Sequence, residues 1–221
     1  MSKTVNELCK TLNLNSTQID ALEDSAFPLK VPGDFLQQIS VGDNNDPLLK
    51  QILPSKQEQI HQPGFVADPV GDLLKNPTPS LIHKYRGRVL LIASPKCDIH
   101  CRYCFRRHFP YENQANQRHW QKALQQIADD KTIHEVILSG GDPMSLSEGA
   151  LLRLSESIEK IAHIKTLRIH SRTPIVSPST APQTDFLQWA KTSRLNKVLV
   201  VHCNHANELS DKTQTLLARY R

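Results

Sequence analysis

The sequence predicts an α/β fold, and three observations predict it. Apolar runs recur at 89–93, 136–138, 167–169 and 198–201, the spacing of strands in a sheet. The intervals carry apolar residues at helical spacing, as in Trp120, Leu124 and Ile127, then Leu151, Leu154, Ile158 and Ile161. Ser145-Leu146-Ser147-Glu148 has the form of a capping box opening the second of these helices. Such alternation implies βα units around a parallel sheet whose functional loops gather at the strand C-termini.

Residues 1–80 have a different texture. Short helical patterns at Val5–Leu12 and Ser16–Leu22 are followed by Pro28, Pro32, Pro47, Pro54, Pro63, Pro69, Pro77 and Pro79. They predict an irregular, partly helical extension that packs on the core and carries no catalytic constellation. Residues 81–221 hold about four βα units, closing with a helix over Asn207–Tyr220. The fourth strand is then an unpaired edge, a liability unless something covers it.

With 221 residues, 38% of them hydrophobic, the chain can bury one sizeable core with an accessory segment. Five cysteines, no signal-like apolar stretch behind Met1, and no run of about eighteen apolar residues predict a soluble, cytoplasmic protein with no membrane role. The net charge of +5 is scattered, apart from Arg86-Gly87-Arg88 and Arg102–His108. It reads as a solvated surface and not as a nucleic-acid face. The second basic cluster suits the carboxylate or phosphate of a small molecule.

The densest chemistry is Cys97-Asp98-Ile99-His100-Cys101-Arg102-Tyr103-Cys104, delivered at the end of the Val89–Ala93 run. Three thiolates at this spacing can hold three irons of a [4Fe–4S] cluster and leave the fourth open. The competing reading is a zinc site with His100 or His108 as fourth ligand, although structural zinc usually draws on a second knuckle and Cys9 and Cys203 stand alone. The next run, Val136-Ile137-Leu138, ends in Ser139-Gly140-Gly141-Asp142-Pro143. Its glycines would let backbone approach a ligand, and Asp142 adds a fixed acceptor. His134 and His163 precede strands and read as structural.

Together the cysteine spacing and the Gly-Gly-Asp segment resemble the radical S-adenosylmethionine (SAM) enzymes. Pro63–Pro69, His83–Arg88, Cys101–Phe109, Arg168–Pro174 and His202–Glu208 extend the resemblance to the lysine 2,3-aminomutases, nearest the branch that makes (R)-β-lysine for elongation factor P. The resemblance implies a partial (βα) barrel of the radical SAM type. It implies that Cys97, Cys101 and Cys104 ligate the cluster, that Ser139, Gly140, Gly141 and Asp142 hold the methionine end of SAM, and that His202 contacts the same cofactor. Arg106 matches the arginine that pairs with the carboxylate of the substrate L-lysine. Tyr85 and Arg88 match positions around the phosphate of pyridoxal 5′-phosphate, and Lys84 stands where the family has arginine.

The implied reaction is reductive cleavage of SAM to methionine and a 5′-deoxyadenosyl radical, then migration of the lysine amino group from Cα to Cβ. An electron donor such as flavodoxin or ferredoxin is implied as partner. The family draws its pyridoxal-anchoring lysine from a C-terminal part beyond the region matched here, and Lys191, Lys197 and Lys212 sit in no matching motif. The chain therefore reads as a shortened or split member. Two alternatives stay open: a radical SAM protein without pyridoxal chemistry, and a non-catalytic remnant that binds elongation factor P or another protein.

Overall fold

Leu81–Tyr85 (β1) and Arg88–Ser94 (β2) form an antiparallel hairpin in the computed structural model, which describes residues 4–15, 17, 19–114 and 117–221. The sequence pattern marks only β2. β1, Leu-Ile-His-Lys-Tyr, is too short and polar to register as an apolar run, and it forms by pairing with the edge that β2 leaves free. Glu135–Gly140 (β3), Thr166–Ser171 (β4) and Asn196–Val201 (β5) follow in parallel, giving an open five-stranded sheet in the order β1-β2-β3-β4-β5. The four predicted strands and their parallel pairing are present, in a partial barrel with one added antiparallel strand. β5 ends the sheet, and its outer edge is unpaired among the described residues.

Strand alternation divides the sheet into two faces. Val89, Leu91, Ala93, Val136, Leu138, Leu167 and Ile169 point to the helical side. There they pack on Trp120, Ala123 and Ile127 of α4 (Gln117–Asp129, just after the short α3, Tyr111–Gln114), Leu151, Leu154 and Ile158 of α5 (Glu148–Glu159), and Phe186 and Trp189 of α7 (Asp185–Thr192). The opposite, concave face carries Leu90, Ile137, Arg168 and Val198 in one register row. Two arginines there share one carboxylate: Glu135 accepts from Arg168 Nε at 2.6 Å and pairs with Arg88 at 3.4 Å.

The N-terminal extension has a core of its own. α1 (Val5–Thr11) is opened by a closed capping box between Thr4 and Glu7, and it buries Val5, Leu8 and Cys9. These join Phe35 of α2 (Gly33–Leu36), Leu48, Leu49 and Ile52. This cluster packs on Ile99 of the cysteine loop and on Ile175 and Val176 of α6 (Thr173–Val176), so the extension braces the C-terminal end of the sheet.

Three local expectations are corrected. Of the helix expected over Ser16–Leu22, Ser16 and Gln18 lie outside the described residues. Ile19–Leu22 is not helical: Ala21 bridges Ser55, and Leu22 N donates to Pro54 O at 2.9 Å. The capping box at 145–148 is not formed. Ser147 caps α5, while the Ser145 hydroxyl donates to Asp142 O and Lys96 O and the Glu148 carboxylate accepts from Thr184. The last helix, α8 (Asp211–Tyr220), starts four residues later than expected because Glu208 is drawn into the interior, leaving Ala206–Glu208 as a 3-10 turn and Ser210 as the cap. The His134 ring meets Thr132 O at 3.3 Å, and the His163 ring meets Ile127 O, thirty-six positions away, at 3.1 Å; both are structural contacts. Among the described residues no helix is long and apolar enough to cross a membrane.

Candidate active site

Parallel strands place their C-terminal loops together, and the two motifs meet there. Gly141 N donates to Ser94 O at 2.9 Å and Asp142 N to Lys96 O at 2.7 Å, which ties the Gly-Gly-Asp segment to the residues just before Cys97. The approach is close: a Cβ on Gly141 would lie 2.4 Å from Lys96 O, and Gly140 has φ +110°, with a Cβ 2.5 Å from Ile92 Cγ2. The glycines therefore serve contact between the cysteine loop and β3. Asp142 is likewise spent inside the fold. Its carboxylate accepts from Ser171 Oγ (2.6 Å), Arg172 N (2.7 Å), Met144 N and Thr173 N (both 2.9 Å), joining the ends of β3 and β4. Burial raises its carboxyl above the ordinary range, against these four hydrogen bonds. Ser139 lies on the concave face opposite Ile92, and Gly140 O accepts from the buried Tyr111 hydroxyl at 2.6 Å.

The cysteine loop itself is clamped along its length. Asp98 accepts from Thr173 Oγ1 at 2.9 Å. Lys30 Nζ donates to Cys97 O, and His100 N donates to Lys30 O. The His100 ring stacks on Phe27 with centroids 4.5 Å apart and engages Pro28 O through Nδ1 at 2.8 Å. Arg102 N donates to Gln51 O at 2.9 Å, and its guanidinium spans Glu58 and Phe27 O. Burial raises Glu58, yet hydrogen bonds from Arg102 and Arg107 prevail and hold it down at about 2.

All three loop cysteines are free and half-buried. Burial pushes the Cys97 thiol up, and the charges of Asp142, Cys101 and Cys104 push it further, so the three sulfurs lie within electrostatic reach of one another. Cys104 is also raised by burial. This donor set fits a cubane cluster, which takes one thiolate per iron. Zinc would need a fourth ligand, and the His100 ring is committed to Pro28 O and to stacking on Phe27.

A pocket of about 430 Å³ runs along the concave face from the β1–β2 turn to the cysteine loop. It brings together Lys84, Tyr85 and Arg88 from the hairpin with Phe105 and Arg106 from the loop, over Ile82, Leu90 and Ile137. The sequence reading missed the residue that organises it. Asp72, 2% exposed, accepts from Arg106 Nε at 2.7 Å and pairs with Lys84 Nζ at 2.5 Å. Burial raises the Asp72 carboxyl, but the two cations hold it below its ordinary value. Lys84 Nζ also donates to Val70 O at 2.6 Å. Asp72 lies in a proline-broken stretch without periodicity, so no sequence signal points to it.

His202 follows β5, donates its N–H to Ser171 O at 3.0 Å and presents its ring edge-on to Tyr103 at 6.0 Å. Arg172, for which the sequence leaves ligand contact and barrel packing open, stands at the exit of β4. It is 6% exposed and donates Nη1 to Cys101 Sγ at 2.7 Å.

Three free, half-buried thiols thus stand on a strand-end loop locked to the Gly-Gly-Asp turn beside a basic pocket, and the Radical SAM superfamily model matches residues 91–200, which span both motifs. The chain belongs to that superfamily, whose members hold a [4Fe–4S] cluster and SAM. More particularly, it is 42% identical to the L-lysine 2,3-aminomutase of Escherichia coli K12 over 97% of its own length, and 42% identical to that of Haemophilus influenzae over 91%. The L-lysine 2,3-aminomutase of Clostridium subterminale is 30% identical over 96%. The chain spans 64%, 60% and 51% of the lengths of these three relatives.

Proposed function

We propose that this chain carries the cluster-, SAM- and lysine-carboxylate-binding part of an isomerase that converts L-lysine to β-lysine. The observation that carries the reading is the pocket that joins Lys84, Tyr85 and Arg88 to Arg106 within the cysteine loop. Cys97, Cys101 and Cys104 are the cluster ligands in this proposal, and the main chain of Ser139–Gly141 with His202 holds SAM. Asp142 fixes that turn from behind. When bound there, a reduced cluster with SAM would supply the radical chemistry. Arg106, oriented by Asp72, offers the planar donor pair that suits a carboxylate. Tyr85, Arg88 and Lys84 would hold the phosphate of pyridoxal phosphate, which would supply a carbonyl for the substrate amine. Ile82, Leu90, Phe105 and Ile137 keep water from the reacting carbon.

In the same proposal, residues 1–80 are a bracing extension and 81–221 the partial barrel. The protein is cytoplasmic, takes its electron from a flavodoxin or ferredoxin, and its product serves elongation factor P. One observation favours a second reading, SAM cleavage without amino migration. Among the described residues lining the pocket, Lys84 is the one lysine, and its amine is held by Asp72 and Val70 O.

The test is anaerobic: reconstitute the chain with iron and sulfide, reduce it, add SAM, lysine and pyridoxal phosphate, and assay 5′-deoxyadenosine and β-lysine. Both products support the aminomutase. Deoxyadenosine alone supports the second reading, and a chain that takes up no cluster overturns both.

A further inference from the structure

Arg172 is held through both terminal nitrogens by groups from different parts of the chain, while its buried Nε has no partner among the described residues. Nη1 donates to Cys101 Sγ at 2.7 Å, while Nη2 donates to Gln51 Oε1 and lies 3.2 Å from Oε1 of Glu208, a carboxylate that is 0% exposed. Gln51 Nε2 donates to the same Glu208 oxygen at 2.7 Å. The guanidinium lies between the rings of Phe35 and Tyr103, at 5.5 and 5.7 Å. Its own main-chain N–H is held by Asp142. An arginine needed only to neutralise Glu208 has no reason to extend a second nitrogen to a sulfur, and the buried setting strengthens any interaction it makes there.

We propose that Arg172 is a positioning residue that sets the reduction potential of the cluster by donating a hydrogen bond to the Cys101 thiolate, with Glu208 as its counterweight. The inference rests on the reading that Cys101 ligates a [4Fe–4S] cluster. One-electron reduction adds negative charge to the cluster and its sulfurs, so a charged donor at one of them stabilises the reduced form more than the oxidised. Glu208 opposes this, being a buried negative charge one guanidinium away. The pair thus makes a signed prediction: removing the arginine lowers the potential, and neutralising the glutamate raises it.

The experiment uses the full chain, reconstituted anaerobically without SAM, with iron counted and the potential titrated by electron paramagnetic resonance. Arg172→Met alone would strand Glu208, so the comparison is E208Q against R172M/E208Q. Relative to E208Q, the double variant is expected to show a reduction equilibrium at least tenfold less favourable, about 59 mV for one electron. R172K/E208Q, which restores a charged donor, is expected to recover part of that. Equal potentials in E208Q and R172M/E208Q at equal iron content overturn the proposal. Should the double variant hold no cluster, E208Q against wild type decides: a rise supports the proposal, and no change or a fall overturns it. A wild-type chain without a cluster overturns the reading beneath it, an outcome distinct from equal potentials.

Discussion

Gly141→Ala tests whether the Gly-Gly-Asp turn exists to dock the cysteine loop. The added Cβ would lie 2.4 Å from Lys96 O and 2.8 Å from Lys96 C and N, all of them main-chain atoms with no rotamer to escape into. Reaching even 3.0 Å requires a displacement of about 0.6 Å, which pulls on Gly141 N to Ser94 O and Asp142 N to Lys96 O. Losing two such bonds costs about 1–3 kcal/mol and overpacking about 1–3 more, so we expect roughly 2–6 kcal/mol. At about 2–4 °C per kcal/mol for a chain of this size, the melting temperature falls by roughly 4–24 °C. Because Cys97 follows Lys96 directly, iron uptake on reconstitution should fall with it. Gly149→Ala is the control. On the exposed first turn of α5 its Cβ meets only Arg153 Nη1 at 3.4 Å, and alanine should stabilise by about 0.5 kcal/mol. Thermal unfolding of both variants by circular dichroism decides. A Gly141→Ala chain that melts with wild type and fills with iron normally would refute the docking argument.

Glu58→Gln removes the carboxylate held at about 2 by Arg102 and Arg107. Its folded value lies below its ordinary one, so its contribution is present above about pH 4.5 and lost as pH falls towards 2. Wild-type stability should therefore drop by about 2 kcal/mol across that window, whereas the variant starts lower and stays flatter; parallel acid titrations would sink the assignment. Arg106→Lys keeps the charge but not the fork, and should weaken lysine binding about tenfold, read by calorimetry on the reconstituted chain. Unchanged affinity would remove Arg106 from the substrate site. Leu138→Ala empties a fully buried position between β3 and the helices, and should cost about 3 kcal/mol in urea unfolding.

The parts legible in the sequence are those that repeat. The runs at 89–93, 136–138 and 167–169 became β2 to β4 because each is buried on the helical side, and burial writes itself as consecutive apolar residues; 198–201 became β5 at the sheet's edge, where only Leu199 packs on that core and Val200 is exposed. The cysteine spacing was legible because cluster chemistry constrains it locally. What escaped depends on contacts far apart in the chain. Asp72 matters through Arg106, thirty-four positions away, and Arg172 through Cys101, seventy-one away. The late start of α8 has the same origin: Glu208 belongs by pattern to the helix but by energy to Arg172. The Gly-Gly-Asp segment was noticed for a partly different reason, since its glycines and its carboxylate face protein.

That last difference changes how the site is understood. The cysteine loop has no regular structure of its own, so its shape must be imposed by neighbours, and three of them do so independently. Asp142 and Gly141 hold its entry from β3, Thr173 holds Asp98 from the end of β4, and Lys30, Phe27, Gln51 and Glu58 hold its middle and exit from the extension. A cluster held by thiols that each move separately would pay for ordering the loop on every binding event; the contacts from these neighbours lower that cost. It follows that the extension, although it supplies no cluster cysteine, belongs to the metal site. Damage to Phe35, Leu49 or Ile52 should therefore appear first as slower cluster assembly and only later as loss of the sheet, whose core of Leu91, Leu138 and Leu167 forms a separate cluster.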